Sequence, residues 1–156
     1  MPEGKVIKDL VDVNAIIREM AESTSMKGGG ALAIFVGYVK GVIDGNEVHE
    51  LEYSAYEPYA SRKLQEIAEE ECRDDGVLDV RIYHRVGSLR AGEPTIYIFV
   101  SAVGRAKAFD KARKVLERIK HEVPIFKLEK RADGEYWVIG DGVRMRRPLS
   151  QKGKQD

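Results

Sequence analysis

Two lysines bracket a helix-to-strand corner in the second half of the chain. Lys120 lies on the flank of the apolar stripe of a predicted helix, which Pro124 ends. Lys127 follows in the next predicted strand, where alternation points it away from the face of Phe126 and Leu128. Burial and crowding of two ammonium groups lower a lysine pKa, and a neutral lysine can act as a base or nucleophile. Two surface lysines with solvated tips are the alternative interpretation.

Two further basic segments suit anion binding. Arg105 follows Gly104 at a predicted strand-to-helix junction, where a helix N-terminus and a guanidinium both favour phosphate or carboxylate. A solvated basic turn is the alternative there. His84 and Arg85 end another predicted strand, and such a pair can bind an anion or transfer a proton. A packed or capping histidine is the alternative for His84.

The single cysteine, Cys72, limits the redox and metal chemistry that the chain can support. One thiol cannot form an internal disulfide, a zinc cage or a CxxC pair, and the chain has only three histidines. Cys72 lies on the apolar stripe of a helix predicted over residues 58–73, which favours a packed, inert thiol. We therefore expect neither a metal site nor a bound cofactor.

Composition indicates a globular protein without a strong charge bias. The 26 basic and 26 acidic residues give a formal net charge of zero, which argues against a nucleic-acid or anionic-membrane binder. The hydrophobic fraction of 43% suits a packed core, and no apolar run approaches the ~20 residues that span a bilayer. No apolar signal region follows the N-terminal residues, so we expect a soluble, cytoplasmic protein.

The predicted helices and strands are mixed without strict alternation. The length of 156 residues suits one domain, over residues 1–143, followed by a polar tail at 144–156 that frays. This order favours an α+β domain with helices packed on a mixed or antiparallel sheet. The predicted elements are a helix near Val13–Met20 capped by Asp12, a hairpin of Ala31–Lys40 with Glu47–Tyr56 around a turn at Asp44, a helix over 58–73, strands Val77–His84 and Thr95–Val103, a helix Ala106–Glu122 that buries Phe109, Ala112, Leu116, Ile119 and Val123, and strands Ile125–Arg131 and Tyr136–Ile139.

Several of these segments, taken in order over roughly residues 30–140, resemble the large, catalytic subunit of molybdopterin synthase, the MoaE family. Each motif alone is weak, but the set with paired lysines around a proline is fairly specific. The segments that carry the resemblance are Phe35–Lys40 (FVGYVK), Leu51–Tyr53 (LEY), His84–Gly87 (HRVG) with Gly92-Glu93, Arg105–Phe109 (RAKAF), Lys120–Lys127 (KHEVPIFK) and Trp137.

The resemblance implies a sulfurtransferase of molybdenum cofactor biosynthesis with an α/β-hammerhead type of α+β fold. In that family the large subunit dimerises, and each copy binds a small ubiquitin-like subunit to give a heterotetramer. The C-terminal Gly-Gly tail of the small subunit carries a thiocarboxylate and enters the pocket of the large subunit. Two sulfurs pass to cyclic pyranopterin monophosphate, whose cyclic phosphate opens as the molybdopterin dithiolene forms.

The resemblance also implies roles for individual residues. Lys120 would be the central acid/base group near the tail and the reacting carbon, and Lys127 would assist it and hold the substrate. The remaining substrate-binding positions would be Arg105, Lys40, His84 and Arg85.

Two positions depart from the family pattern. Lys40 stands where the family has arginine, so the charge is kept but the bidentate fork is lost. Gly104 stands where the family has histidine before Arg105. These departures motivate an alternative, a non-catalytic dimeric scaffold that docks a ubiquitin-like protein. A nucleotide- or RNA-binding domain using Arg105 and Lys107 is a third hypothesis, and it predicts affinity that falls steeply with salt.

Overall fold

The computed structural model describes residues 1–139 and 143–148, which form three helices and ten strands. None of these helices is long and apolar enough to cross a membrane. The helices are α1 (Val13–Thr24), α2 (Tyr59–Cys72) and α3 (Arg105–Glu122), with a short 3-10 turn at Ser25–Lys27 after α1. The strands are β1 (Glu3–Ile7), β2 (Ala31–Tyr38), β3 (Val42–Ile43), β4 (Asn46–Ala55), β5 (Val77–Arg85), β6 (Gly87–Leu89), β7 (Pro94–Ala102), β8 (Ile125–Arg131), β9 (Gly134–Ile139) and β10 (Val143–Arg146).

The first sheet has the strand order β1-β5-β7-β2 and is covered by helices on both faces. β1 runs parallel to β5, and the other pairs are antiparallel. Ile98 and Val100 of β7 pack with residues of α2 and α3, whereas Tyr97 and Phe99 pack with Met20 of α1. Because β7 buries both faces, it is the central strand predicted from its two-sided apolar pattern.

The second sheet has the order β10-β9-β8-β4-β3, with β6 also paired to β4. All of its pairs are antiparallel. One sheet of mixed direction and one antiparallel sheet, with helices packed on the first, confirm the predicted α+β class.

The hairpin expected between the second and third apolar segments is wrong in its pairing. β2 pairs with β7, and β4 pairs with β8, so the two segments lie in different sheets. Only the two residues of β3 form a hairpin with β4, across a turn in which Asp44 and Gly45 both have positive φ, as a type I′ turn requires. β2 carries apolar residues on both faces and suits the sheet covered on both sides, whereas β4 alternates and leaves one face polar.

The predicted buried face of α3 is confirmed at Ala112, Ile119 and Val123, and Leu116 packs against the core, but the prediction is wrong at Phe109. Ala108, Val115 and Ile119 are buried, whereas Phe109 is 69% exposed. Lys111 also takes a place on the buried face, where its Nζ lies 2.7 Å from Oε1 of the equally buried Glu71 on α2. A paired lysine can fill a core position that a sequence pattern assigns to solvent.

Both ends of the described chain form strands that the sequence pattern did not predict. Val143–Arg146 is β10, so the expectation that the chain frays from Arg144 is wrong for these residues, while residues 149–156 of the expected tail lie outside the described part. At the other end, β1 packs directly on α2: a β-carbon at Gly4 would lie 2.2 Å from the carbonyl oxygen of Leu64. Because β1 is held by close packing of its backbone on α2, its sequence shows no side-chain pattern that would predict the strand.

The Lys111–Glu71 pair should contribute measurably to stability. Although burial raises the pKa of Glu71, hydrogen bonds from Lys111 and Arg118 bring it below the ordinary value of 4.5. We expect Lys111→Met to lower the free energy of unfolding by about 2 kcal/mol in urea denaturation at pH 7. The matched control is Lys114→Met, because the exposed ammonium of Lys114 lies 3.5 Å from the same carboxylate. This variant should change the free energy of unfolding by no more than about 0.5 kcal/mol.

The same pair predicts a pH dependence of unfolding. A carboxylate whose pKa is lowered in the folded state stabilises the protein above its unfolded pKa and loses that contribution as the pH falls. The difference in free energy of unfolding between wild type and Lys111→Met should therefore become smaller as the pH is lowered below 4.5, the ordinary pKa of glutamate. Equal losses for both lysine variants, or a difference that widens in acid, would contradict this role.

Candidate active site

A cavity of about 430 Å³ lies between the two sheets and the C-terminal end of α3. Apolar and polar side chains share its wall about equally, and the polar ones converge on it from six strands, from the segment after β2 and from the end of α3. The apolar lining includes Phe35, Val39, Leu51, Ile96, Ile119 and Val123. The polar lining consists of Tyr38, Lys40, Tyr53, His84, Thr95, Lys120, Lys127, Glu129 and Arg144.

Strand register places four of the lining residues in one row across the second sheet. Tyr53 of β4 is opposite Lys127 of β8, which is opposite Val138 of β9, which is opposite Arg144 of β10. Directly paired residues point to the same face of a sheet, so the row faces the cavity together. The prediction that Lys127 points away from Phe126 and Leu128 is confirmed, since neither neighbour lines the cavity.

Lys127 is half-buried near the centre of a group of cations. Burial lowers its pKa, and the nearby charges of Lys120, Arg144 and Lys40 lower it further, while the carboxylate of Glu129 opposes them. Its Nζ lies 6.0 Å from the ring centroid of Tyr53, and no carboxylate of the described residues lies within 4.0 Å of it. The predicted convergence of Lys120 and Lys127 on one pocket is therefore present, and Lys40 joins them.

Glu129 is the acidic residue of the described lining, and Arg144 binds it. The carboxylate is 2% exposed, and Arg144 donates Nε to Oε1 at 2.7 Å and Nη2 to Oε2 at 3.0 Å. Fork-like pairing of this kind fixes both side chains. Sequence reasoning missed both residues, because Glu129 lies within a predicted strand and Arg144 was assigned to a polar tail. Glu129 alternates with Lys127 along β8, and this spacing is the signal in the sequence that could have identified Glu129.

His84 lines the cavity in a buried position. Its Nδ1 lies 2.8 Å from the backbone oxygen of Arg85, and its ring packs edge-on against Tyr53 with centroids 5.1 Å apart. Burial lowers the pKa of His84 to about 4, and the charge of Lys127 acts in the same direction. The imidazole is therefore neutral at neutral pH.

Arg85 and Arg105 lie outside the cavity lining of this chain. The buried Arg85 donates to the backbone oxygens of Lys8 and Pro94, at 3.1 and 2.9 Å, so it ties three segments together beside His84. Arg105 is exposed at the first residue of α3, about 22 Å along the helix axis from Lys120. Gly104 precedes it with extended backbone, and a β-carbon there would meet no atom within 4 Å.

The described residues include no cluster of three or more His, Cys, Asp or Glu that could hold a metal ion. Cys72 packs against the helix-covered core, and burial raises the pKa of its thiol. A thiol with a raised pKa is mostly protonated at neutral pH and is a poor nucleophile. The prediction of a packed thiol is confirmed, and the described lining of the cavity contains no thiol.

Comparison with known proteins gives one consistent family. The model of a family described as "MoaE protein" matches residues 6–122. "Molybdopterin synthase catalytic subunit" of Pyrococcus abyssi is 34% identical over 143 residues, covering 90% of this chain and 95% of that protein. "Molybdopterin synthase catalytic subunit 1" of Mycobacterium tuberculosis is 39% identical over 131 residues, covering 83% and 88%.

Solved structures show the same similarity. A structure described as molybdopterin synthase from Staphylococcus aureus superposes with a TM-score of 0.76 at 31% identity, covering 89% of this chain and 98% of that one. A chain from a "protein-protein complex of subunit 1 and 2 of Molybdopterin-converting factor" of Helicobacter pylori superposes with a TM-score of 0.67. That chain is 22% identical, so its likeness shows the fold alone.

The electrostatics of the cavity predict the effect of removing its carboxylate. Because the charge of Glu129 raises the pKa of Lys127, Glu129→Gln should lower that pKa further. Lys127 should then become neutral, and reactive toward an amine-acylating reagent, at a lower pH than in wild type. Labelling rates measured by mass spectrometry across pH test this.

Lys130 serves as an internal control for the labelling experiment. It lies on the same strand, and hydrogen bonding to Glu50 raises its pKa. Its labelling profile should not move in the Glu129→Gln variant. A Lys127 profile that stays in place or moves to higher pH would show that Glu129 does not set the charge state of Lys127.

Proposed function

Because the chain belongs to the MoaE family, we propose that it is the catalytic subunit of a molybdopterin synthase in molybdenum cofactor biosynthesis. In this proposal it transfers two sulfurs from the C-terminal thiocarboxylate of a small ubiquitin-like subunit to cyclic pyranopterin monophosphate. The product is the dithiolene of molybdopterin. The enzyme acts in the cytoplasm and requires no bound metal or cofactor.

The half-buried Lys127 and its cationic neighbours carry the proposal. Both the cyclic phosphate of the substrate and the thiocarboxylate of the tail are anions. The cavity concentrates Lys40, Lys120, Lys127 and Arg144 in a chain whose formal net charge is zero. Apolar walls strengthen the attraction between these cations and a bound anion, because the local dielectric constant is low.

The two lysines divide the acid/base work by their environments. Lys120 is exposed at the end of α3 and lines the mouth of the cavity, where it can reach the entering tail and the reacting carbon. Lys127 is half-buried with a lowered pKa, so a larger fraction of it is neutral than of an ordinary lysine. A neutral amine accepts the proton that a reacting group releases, and an ammonium stabilises developing negative charge.

The position of Cys72 supports an external source of sulfur. Cys72 is packed against the core and does not line the cavity, so this chain has no thiol at its site. A thiocarboxylate tail supplies the sulfur instead. Each of two tails transfers one sulfur, and each new carbon–sulfur bond replaces a carbon–oxygen bond of the substrate. At one carbon the oxygen leaves with the opening cyclic phosphate, and at the other it leaves as water. Water cleaves each acyl–sulfur bond, so each tail is released as an ordinary carboxylate.

Exposed apolar residues on an edge strand support dimerisation of this chain. β2 is the last strand of the first sheet, and its Ile34, Phe35, Val36 and Tyr38 are all more than one-third exposed. An apolar edge strand is a common surface for pairing with a second chain. We propose a homodimer with one small subunit bound to each copy. Since Arg105 lies far from Lys120 of its own chain, its proposed contact with the phosphate requires Arg105 of the second copy.

Lys120→Ala should abolish turnover while leaving the fold intact. The assay combines the protein with a thiocarboxylated small subunit and cyclic pyranopterin monophosphate, and detects the fluorescent oxidation product of molybdopterin. Loss of an acid/base group predicts a fall of at least ~10²-fold in single-turnover rate. Lys130→Ala is the matched control, because Lys130 has the same charge but pairs with Glu50 outside the cavity. Near-wild-type transfer by Lys120→Ala would refute the role of Lys120.

Mixing two inactive variants tests whether Arg105 acts from the second copy. Lys120→Ala and Arg105→Ala should each be inactive alone, whereas a subunit-exchanged mixture should recover about a quarter of wild-type activity. After exchange, half of the dimers contain one copy of each variant. In such a dimer, one of the two sites combines the intact Lys120 of one copy with the intact Arg105 of the other, so a quarter of all sites are active. Light scattering confirms the dimer and its exchange. A dimer whose exchanged mixture stays inactive would contradict a role for Arg105 in the second copy.

Partner binding without product would favour the non-catalytic scaffold. In that case Lys40→Arg and Gly104→His, which restore the two family residues, are the variants to assay next. The open space around Gly104 accommodates a side chain there. Activity gained by these variants would assign the lost chemistry to those two positions.

A further inference from the structure

The hydrogen bond between His84 and the Arg85 backbone fixes where the proton of the imidazole lies. A carbonyl oxygen only accepts hydrogen bonds, so the contact of 2.8 Å requires a proton on Nδ1. With the pKa of His84 lowered to about 4 by burial and by Lys127, the ring carries one proton at neutral pH. Its Nε2 is therefore an unprotonated acceptor.

Nε2 of His84 is open to the cavity. Among the described residues, the fully buried polar side-chain atoms that lack a hydrogen-bond partner are Asp79 Oδ1 and Arg131 Nη1. Nε2 of His84 is not one of these atoms, and no described residue forms a hydrogen bond with it. Nε2 is therefore not fully buried, and it faces the cavity that His84 lines. The edge-on contact with Tyr53, at an interplanar angle of 69°, supports the orientation of the ring.

Thr95 presents a second acceptor at the same wall. Its hydroxyl donates to the backbone oxygen of Gly37 at 3.2 Å, so its proton is already used, and its oxygen keeps a lone pair. Thr95 lines the cavity, where the Tyr53 hydroxyl can use one lone pair of its oxygen and one lone pair remains. The cavity thus has cationic donors on Lys40, Lys120 and Lys127, neutral acceptors on His84 and Thr95, and the carboxylate of Glu129, which Arg144 binds.

We propose that His84, supported by Thr95, is a specificity-determining residue that accepts a hydrogen bond from an N–H group of a neutral heterocycle in the ligand. The cations bind the anionic group of the same ligand. This inference rests on the proposed function, in which the ligand is a pterin monophosphate whose pyrimidine ring carries N–H donors. It differs from the anion-binding role expected for His84 from sequence, because an unprotonated nitrogen offers nothing to an anion.

Two variants of His84 separate its donor from its acceptor. His84→Asn places an amide nitrogen near the position of Nδ1, so it can keep the bond to the Arg85 carbonyl but loses the acceptor. His84→Gln places an amide oxygen near the position of Nε2 and keeps an acceptor. Calorimetry with cyclic pyranopterin monophosphate, without the small subunit, should give about tenfold weaker binding for His84→Asn and recovery of most of that loss for His84→Gln. Inorganic phosphate, which probes only the cations, should bind both variants within twofold of wild type.

Three results would overturn the inference: unchanged pterin affinity in His84→Asn, equal losses in both variants, or a parallel loss of phosphate affinity. The last two would mean that His84 is merely structural. Failure of the proposed function gives a different result. If the wild-type protein binds the pterin through His84 but transfers no sulfur, the proposed sulfur transfer is contradicted and the role of His84 is not. Absence of pterin binding to wild type would overturn both.

Discussion

Four cationic side chains share one cavity, and the described lining contains a single carboxylate to offset them. That carboxylate, Glu129, already forms a two-bond pair with Arg144, so it offsets the charge of Lys127 only in part. Like charges in a partly water-excluding space raise the free energy of the charged state. A bound anion relieves this unfavourable energy, and the same arrangement that lowers the pKa of Lys127 therefore favours an anionic ligand.

The fold keeps these charges together by joining two sheets and one helix end. The register of β4, β8, β9 and β10 aligns Tyr53, Lys127, Val138 and Arg144 in a row, so no single residue of the row can turn away without breaking strand pairing. On the opposite side, the buried Lys111–Glu71 pair fixes α3 against α2. Lys120, nine residues further along α3, is positioned by a rigid element rather than by a loop.

Local patterns predicted much of the site. Alternation along β8 was enough to aim Lys127 into the cavity, and the helix stop at Pro124 was enough to bring Lys120 beside it. His84 was named as a candidate, but its neutral state depends on burial and on a backbone bond that sequence does not show. Arg144 was missed because a short polar strand at a chain end has no apolar period, and its partner Glu129 is distant in sequence.

Pairings between distant segments caused the remaining errors in the fold. Nearness in sequence favoured a hairpin of β2 with β4, whereas β2 pairs along its length with β7 at the edge of the first sheet. On α3, the burial of Lys111 was not predicted, because it depends on the ion pair to Glu71. In each case the deciding interaction joins residues far apart in the chain, and such interactions leave no trace in a short window.

In the proposed complex, the negative charge of the substrate lies against Lys127. The most direct test is an NMR titration of the lysine side chains, with Lys130 as the internal control, in free protein and with cyclic pyranopterin monophosphate bound. We expect the pKa of Lys127 to be below that of an ordinary lysine in free protein and to rise when the substrate binds, while the pKa of Lys130 stays unchanged. An ordinary pKa for Lys127 in free protein, or no rise on binding, would contradict it.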